Sequence, residues 1–97
     1  MAGKKTSEFT NEGIESLAKN KPVVYKIDNN KGEIIYTGIA KRDSVKDRLK
    51  EHLPGGNHPI KGGEKIKIIQ KNSIDEAKKT EERIIKREQP TQNIKGN

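Results

Sequence analysis

Two β-branched runs, "PVVYKID" (residues 22–28) and "EIIYTG" (residues 33–38), flank the tetrad "NNKG". Val, Ile and Tyr suit a pleated, half-buried surface, and Asn-Asn-Lys-Gly supplies the residues that reverse a chain, so the segment predicts a β-hairpin. If the turn centres on Asn30-Lys31, paired residue numbers sum to 61 and Tyr25 falls directly opposite Tyr36. Opposed side chains stand about 4.5–5.5 Å apart at Cβ, and an ordinary cross-strand pair contributes roughly 0.2–1 kcal/mol. The chain has only these two tyrosines, one Phe and no Trp. Gly38 follows on the same face and leaves space beside the two phenols. Two aromatics facing an open glycine read more like a site than a core.

The rest of the chain supplies cover for this hairpin. "TNEGIESLAKNK" sets Ile14, Leu17 and Ala18 at helical spacing before Pro22 stops the helix. "RDSVKDRLKEHL" does the same with Val45, Leu49 and Leu53, and Ser44 with Asp47 resembles a capping box. "PGGNHPIKGG" is a loop, and "EKIKIIQK" alternates as a third strand. "SIDEAKKTEERIIKRE" is the longest helix, opened by a second capping box of Ser73 with Glu76 and ended by Pro90. The predicted fold is α+β: a small three-stranded antiparallel sheet flanked by helices, in the order α-β-β-α-β-α. Residues 1–9 carry no periodicity and read as a disordered lead or appended residues; 10–97 read as one domain.

Charge narrows the function class. Twenty-one Lys and Arg against fourteen Asp and Glu leave a net charge of +7. A basic domain of this size favours a polyanion, most often nucleic acid. No cysteine is present, which excludes a disulfide framework and thiolate metal sites. No signal peptide and no apolar run of membrane-spanning length occurs, so the chain reads as soluble.

One carboxylate is misplaced. On the last helix, at about 100° per residue, the apolar stripe is Ile74, Ala77, Ile84 and Ile85; Glu81 lies inside it and Glu82 points away. A carboxylate turned toward the core costs several kcal/mol unless it is paired, protonated or bound to a cation. It therefore either pairs with a basic group at the core's rim or serves as a hard ligand for a divalent cation. On the middle helix, Arg48 and His52 lie one turn apart, an anion-binding group beside one that titrates near neutrality. His58, in the Gly/Pro loop, is either a plain loop residue or a substrate contact.

Together these residues resemble the GIY-YIG endonuclease family. Its two strand motifs correspond to Val23-Val24-Tyr25 and Tyr36-Thr37-Gly38, with valine for the first glycine and threonine for the second motif's middle residue. "YTGIAK" fits the continuation Y-x-G-x-A-K and puts Lys41 at the family's lysine. "RLKEH" supplies an arginine and a histidine four residues later, as Arg48 and His52. Arg48 stands about two residues further from Tyr36 than the family pattern, which implies a longer turn before the helix. "EERIIKREQPTQN" fits a metal-binding glutamate followed by P-x-x-N, selecting Glu81 with Asn93 twelve positions on.

The resemblance implies metal-dependent hydrolysis of phosphodiester bonds, in DNA or in RNA including tRNA. Glu81 would hold Mg²⁺ or Mn²⁺. A tyrosine, Tyr25 in preference, would take a proton from the attacking water, with Tyr36 positioning water or assisting. Arg48 would stabilise the transition state, and His52 would relay a proton or orient a tyrosine. Gly38 and Asn93 would brace the site, while Lys41, Arg42, His58 and Lys61 would bind nucleic acid. The chain's outline further suggests a monomeric toxin nuclease domain, delivered by a secreted or cell-surface protein, acting in the cytoplasm and countered by an immunity protein. The alternatives are a repair- or restriction-type DNA endonuclease domain, a degenerate scaffold for protein interaction, and a non-catalytic basic nucleic-acid-binding module. The last explains the charge and the hairpin but not Glu81.

Overall fold

The alternation in Val23–Asp28 sets the architecture. The computed structural model describes residues 6–17 and 20–90, and in it Val23, Tyr25 and Ile27 turn to one face of a sheet while Val24 turns to the other. Both faces are covered. The elements run β1 (Thr6–Glu8), α1 (Asn11–Ser16), β2 (Val23–Asp28), β3 (Ile34–Ala40), a 3₁₀ turn (Arg42–Ser44), α2 (Val45–Glu51), β4 (Lys65–Gln70) and α3 (Ile74–Glu88). Among the described residues no helix is long and apolar enough to cross a membrane.

The sheet is antiparallel throughout, in the order β1-β4-β2-β3, so β2 is interior and β3 forms an edge. It has four strands rather than three. The fourth is Thr6–Glu8, inside the segment expected to be a featureless lead: Ser7 pairs with Ile66, and the Phe9 amide bonds to the Glu64 carbonyl at 3.0 Å. Phe9 is buried in the main core. Three residues with one apolar anchor are too short to show a period, so nothing in the sequence pattern marks this strand.

The main core lies between one face of the sheet and α1 with α2, built from Ile14, Val23, Ile27, Val45, Leu49, Ile66 and Ile68 among others. Fully burying an aliphatic side chain of this size stabilises by roughly 1.5–3 kcal/mol. The opposite face holds a smaller cluster in which Ala77 and Ile84 of α3 pack on Val24. The helix ends follow the predicted chemistry in part. Ser73 caps α3 by accepting from the Glu76 amide at 3.2 Å, and Thr10 caps α1 through Gly13. Ser44 precedes α2 but makes no side-chain cap, because the 3₁₀ turn runs straight into the helix and leaves Ser44 at ψ 4° rather than in the extended backbone from which Thr10 and Ser73 reach their amides. Ala18 lies outside the described residues.

The hairpin forms, but in another register. Tyr25 pairs with Gly38 and Tyr36 with Ile27, so the tyrosines are diagonal neighbours rather than opposed. Two irregularities account for the shift. The turn is longer than a two-residue one: the Gly32 amide bonds to the Asn29 carbonyl at 3.0 Å, Gly32 takes φ +83°, and the Asn29 amide reaches the Glu33 carbonyl at 2.9 Å. The Asn29 side chain braces it by accepting from the amides of Lys31 and Glu33. A bulge at Ile27/Asp28 then moves the pairing by one more residue. Gly38 is likewise not beside an open space. A Cβ there would lie 2.5 Å from the Tyr25 hydroxyl oxygen, so Tyr25 occupies the room that glycine leaves.

Candidate active site

The new register lays Tyr25 across Gly38 toward the free edge of β3, where α2 and α3 approach from opposite faces. Tyr25 is 3% exposed and His52, at the end of α2, is equally buried. The Tyr25 hydroxyl and His52 Nε2 are 2.7 Å apart, and His52 Nδ1 is 2.9 Å from the His58 carbonyl. A carbonyl can only accept, so Nδ1 carries the hydrogen. Burial pushes His52 below the ordinary imidazole value, against the His58 carbonyl bond that favours its charged form. His52 is therefore neutral, Nε2 accepts, and the Tyr25 hydroxyl donates to it.

The loop after α2 sets this chain of bonds. The His58 amide bonds to the Glu51 carbonyl and the Ile60 amide to the His52 carbonyl, both at 2.9 Å, which folds the segment back over the end of the helix. Ile60 anchors the fold-back in the core. The Gly/Pro stretch that reads as a plain loop thus carries a structural role.

Tyr36 completes an aromatic cluster. Its ring centroid lies 6.2 Å from Tyr25, 4.8 Å from His52 and 5.8 Å from His58. Burial raises both phenols above their ordinary value; Tyr36 adds to this at Tyr25, Glu81 adds at both, and Arg48 opposes at both. Both tyrosines are protonated phenols in this state.

A recess of about 200 Å³ gathers Tyr25, Tyr36, Gly38, Arg48, His52, His58 and Glu81. All seven are singled out in the sequence, and they come from five separate stretches of chain: β2, β3, α2, the loop after it and α3. A larger recess of about 560 Å³ at the hairpin turn joins Glu33 and Glu88 but carries no histidine, tyrosine or arginine. Size does not select the site; convergent chemistry does. Glu81 is half-buried where Glu82 is exposed, as the helical stripe predicts. Burial, with Glu82 adding, raises the Glu81 carboxyl above its ordinary value. Among the described residues it has no ion pair.

Other expected residues lie elsewhere. Lys41 lines a neighbouring groove, Arg42 is exposed and stands 3.8 Å from Asp43, and Lys61 is exposed on the loop. Asn93 lies outside the described residues. Sequence reasoning misses Glu51, which lines the recess and stands 3.7 Å from Arg48 one helical turn away. The i, i+3 spacing in "RLKE" is the signal that could reveal it. It also misses Thr37, whose buried hydroxyl donates to the Tyr25 carbonyl at 2.7 Å.

Residues 21–95 match the model of the family described as the GIY-YIG catalytic domain. UvrABC system protein C from two strains of Bacteroides fragilis, ATCC 25285 and YCH46, is 36% identical over 96 residues, covering 93% of this chain. The chain spans about 15% of the length of these relatives. No solved structure matches it. A family match running from before Tyr25 to beyond Glu81, on a fold that brings both ends to one recess, shows that this chain belongs to the GIY-YIG catalytic-domain family and is an endonuclease.

Proposed function

We propose that the recess at the β3 edge hydrolyses a phosphodiester with Tyr25 as proton acceptor, His52 as relay, Arg48 as anion clamp and Glu81 as ligand of a divalent cation. The observation that carries this reading is the bond from the Tyr25 hydroxyl to neutral His52. A phenol held well above pH 7 cannot serve as a free phenolate. Tyr25 can still take a proton from water if it passes its own to His52 Nε2 as it does so. One proton enters and one leaves, and the phenol ends as it began. Tyr36, less buried and facing the same recess, positions the water.

Arg48 offers a planar, permanently charged fork to the phosphate oxygens. Its pairing with half-buried Glu51, at 3.7 Å, is long and loose, which leaves it available. The donor set fits a hard cation: Glu81 is half-buried, has no cationic partner among the described residues, and is the one carboxylate facing the tyrosines from α3. No group of three or more potential ligands exists among the described residues, so the ion would keep water and phosphate oxygens, as Mg²⁺ commonly does. Bound there, it would supply Lewis-acid polarisation of the phosphate. Mn²⁺ is the other candidate.

The likeness to UvrABC system protein C favours a repair-type DNA endonuclease module. The toxin reading, with RNA as substrate and an immunity protein as partner, gains nothing from this likeness. Incubating the protein with mixed DNA and RNA, with Mg²⁺ or with EDTA, tests the chemistry. Cleavage of DNA by the wild type with Mg²⁺, lost in EDTA and in Glu81→Ala and Arg48→Ala, is expected. Binding without cleavage under every condition would leave a nucleic-acid-binding module. Growth arrest on expression in bacteria, with tRNA or rRNA cut, would restore the toxin reading.

A further inference from the structure

A second recess, of about 450 Å³, adjoins the catalytic one and shares Ile39 and Arg48 with it. Its cations come from three elements: Lys41 after β3, Arg48 on α2 and Lys78 on α3. No acidic residue lines it. Lys41 and Lys78 make no ion pair among the described residues, although the chain carries fourteen carboxylates to pair with. Ile39 and Ile74, both only partly buried, form an apolar floor. Lys78 stands three residues before Glu81, so both project toward the same flank of α3, whereas Lys79 points about 160° from Glu81 around the helix.

We infer that this groove is the seat of the nucleotide next to the scissile phosphate, unpaired, with its phosphate between Lys41 and Lys78 and its apolar surface on Ile39 and Ile74. The inference rests on the nuclease reading of the adjoining recess and adds to it the strandedness of the substrate. A substrate phosphate at Arg48 places the next one a single nucleotide away, and the groove begins at Arg48. Unpaired cations give the electrostatic attraction that tracks a backbone, independent of sequence. The apolar floor favours a strand that has left the duplex, because a duplex side presents charged backbone there and hides its base faces in the stack. Among aromatic residues only Tyr25 and Tyr36 are near, so the floor works by aliphatic contact rather than by stacking.

The test is binding by fluorescence anisotropy of labelled single strands, in DNA and in RNA form, and of the matching blunt duplex, using Glu81→Gln to prevent cleavage. The single strand is expected to bind at least about five-fold more tightly than the duplex, and Lys78→Ala to weaken it about five-fold while lowering the log–log salt slope by roughly 0.7. Lys79→Ala on the same helix is expected to leave affinity within about two-fold. Preference for the duplex, or equal losses from Lys78→Ala and Lys79→Ala, would overturn the inference. Failure of the wild type to cut any nucleic acid, with the Lys78 effect intact, would sink the nuclease reading and leave the groove as a binding site. Loss of the Lys78 effect in a protein that cuts would do the reverse.

Discussion

The Tyr25 hydroxyl donates to a histidine whose other nitrogen is already committed to a main-chain carbonyl, so the proton between Tyr25 and His52 has one direction of travel. The two side chains are expected to act as a unit. Tyr25→Phe and His52→Ala should each lower single-turnover cleavage by roughly 10²–10⁴-fold, and the double variant should be no slower than the slower single variant. Multiplicative losses would show that the two act separately.

The same histidine sets a pH dependence. Below its ordinary value of 6.5, an exposed histidine in the unfolded chain binds a proton that buried His52 resists. Unfolding is then favoured by acid: the His52 contribution is intact above pH 6.5 and is lost as pH falls toward its lower folded value. Urea midpoints between about pH 7.5 and 5.5 should fall less in His52→Gln than in the wild type. Cleavage rate should drop at the acid end of that range, as pH falls through the lower folded value, because protonated Nε2 cannot accept from Tyr25.

Glu81 has the opposite sign. Its folded value lies above 4.5, so the folded state holds the proton more tightly than the unfolded chain. That stabilisation is present in acid and is lost as pH rises through the folded value, leaving an ionised, half-buried carboxylate at neutrality. Glu81→Gln should therefore raise neutral-pH stability slightly, by roughly 0.5 kcal/mol once screening at a half-exposed site is allowed for, or a few degrees in Tm. Cleavage should fall at least about 10³-fold. Added Mg²⁺ should raise the Tm of the wild type and not of the variant, read by thermal melts with and without the metal.

Gly38→Ala tests the close approach of Tyr25. The added methyl meets the phenol ring and hydroxyl, and Tyr25 is boxed in by His52 and Ile68, its partner on β4. A loss of roughly 1–3 kcal/mol is expected from overpacking, measured by urea unfolding, together with a fall in cleavage as Tyr25 is displaced from His52. An unchanged rate would mean that this hydroxyl is not used.

Phe9→Ala tests the strand that the sequence pattern does not show. Emptying a buried aromatic position in the main core should cost roughly 3–4 kcal/mol, well over the cost of a change in a disordered lead. Below the lowered Tm the variant should still cleave, since Phe9 is not part of the recess.

Much of the site was legible because its residues break local patterns. Glu81 interrupts an apolar stripe, and Tyr25 and Tyr36 stand out in a chain with three aromatics. Arg48 and His52 share a helix at i, i+4. What stayed hidden depends on the tertiary fold. The diagonal placement of the tyrosines follows from a left-handed Gly32 and a bulge, neither of which hydrophobic alternation encodes. The His58 role belongs to its main-chain carbonyl, which any residue could supply, and β1 is held by a partner some sixty positions away. Periodicity reports what an element faces, not what crosses its edge.

The bulge at Ile27/Asp28 also separates the hairpin into two mechanical parts. Inside it, the pairs Tyr25–Gly38 and Ile27–Tyr36 are locked by packing on both faces of the sheet. Outside it, residues 29–33 form an exposed tip whose bonds close on themselves through Asn29. Extra residues placed at Asn30-Lys31 would lengthen that tip without re-registering the strands below. The tip is thus a natural attachment point, where a tether, a fluorophore or a whole recognition module could be grafted while the cutting edge keeps its geometry.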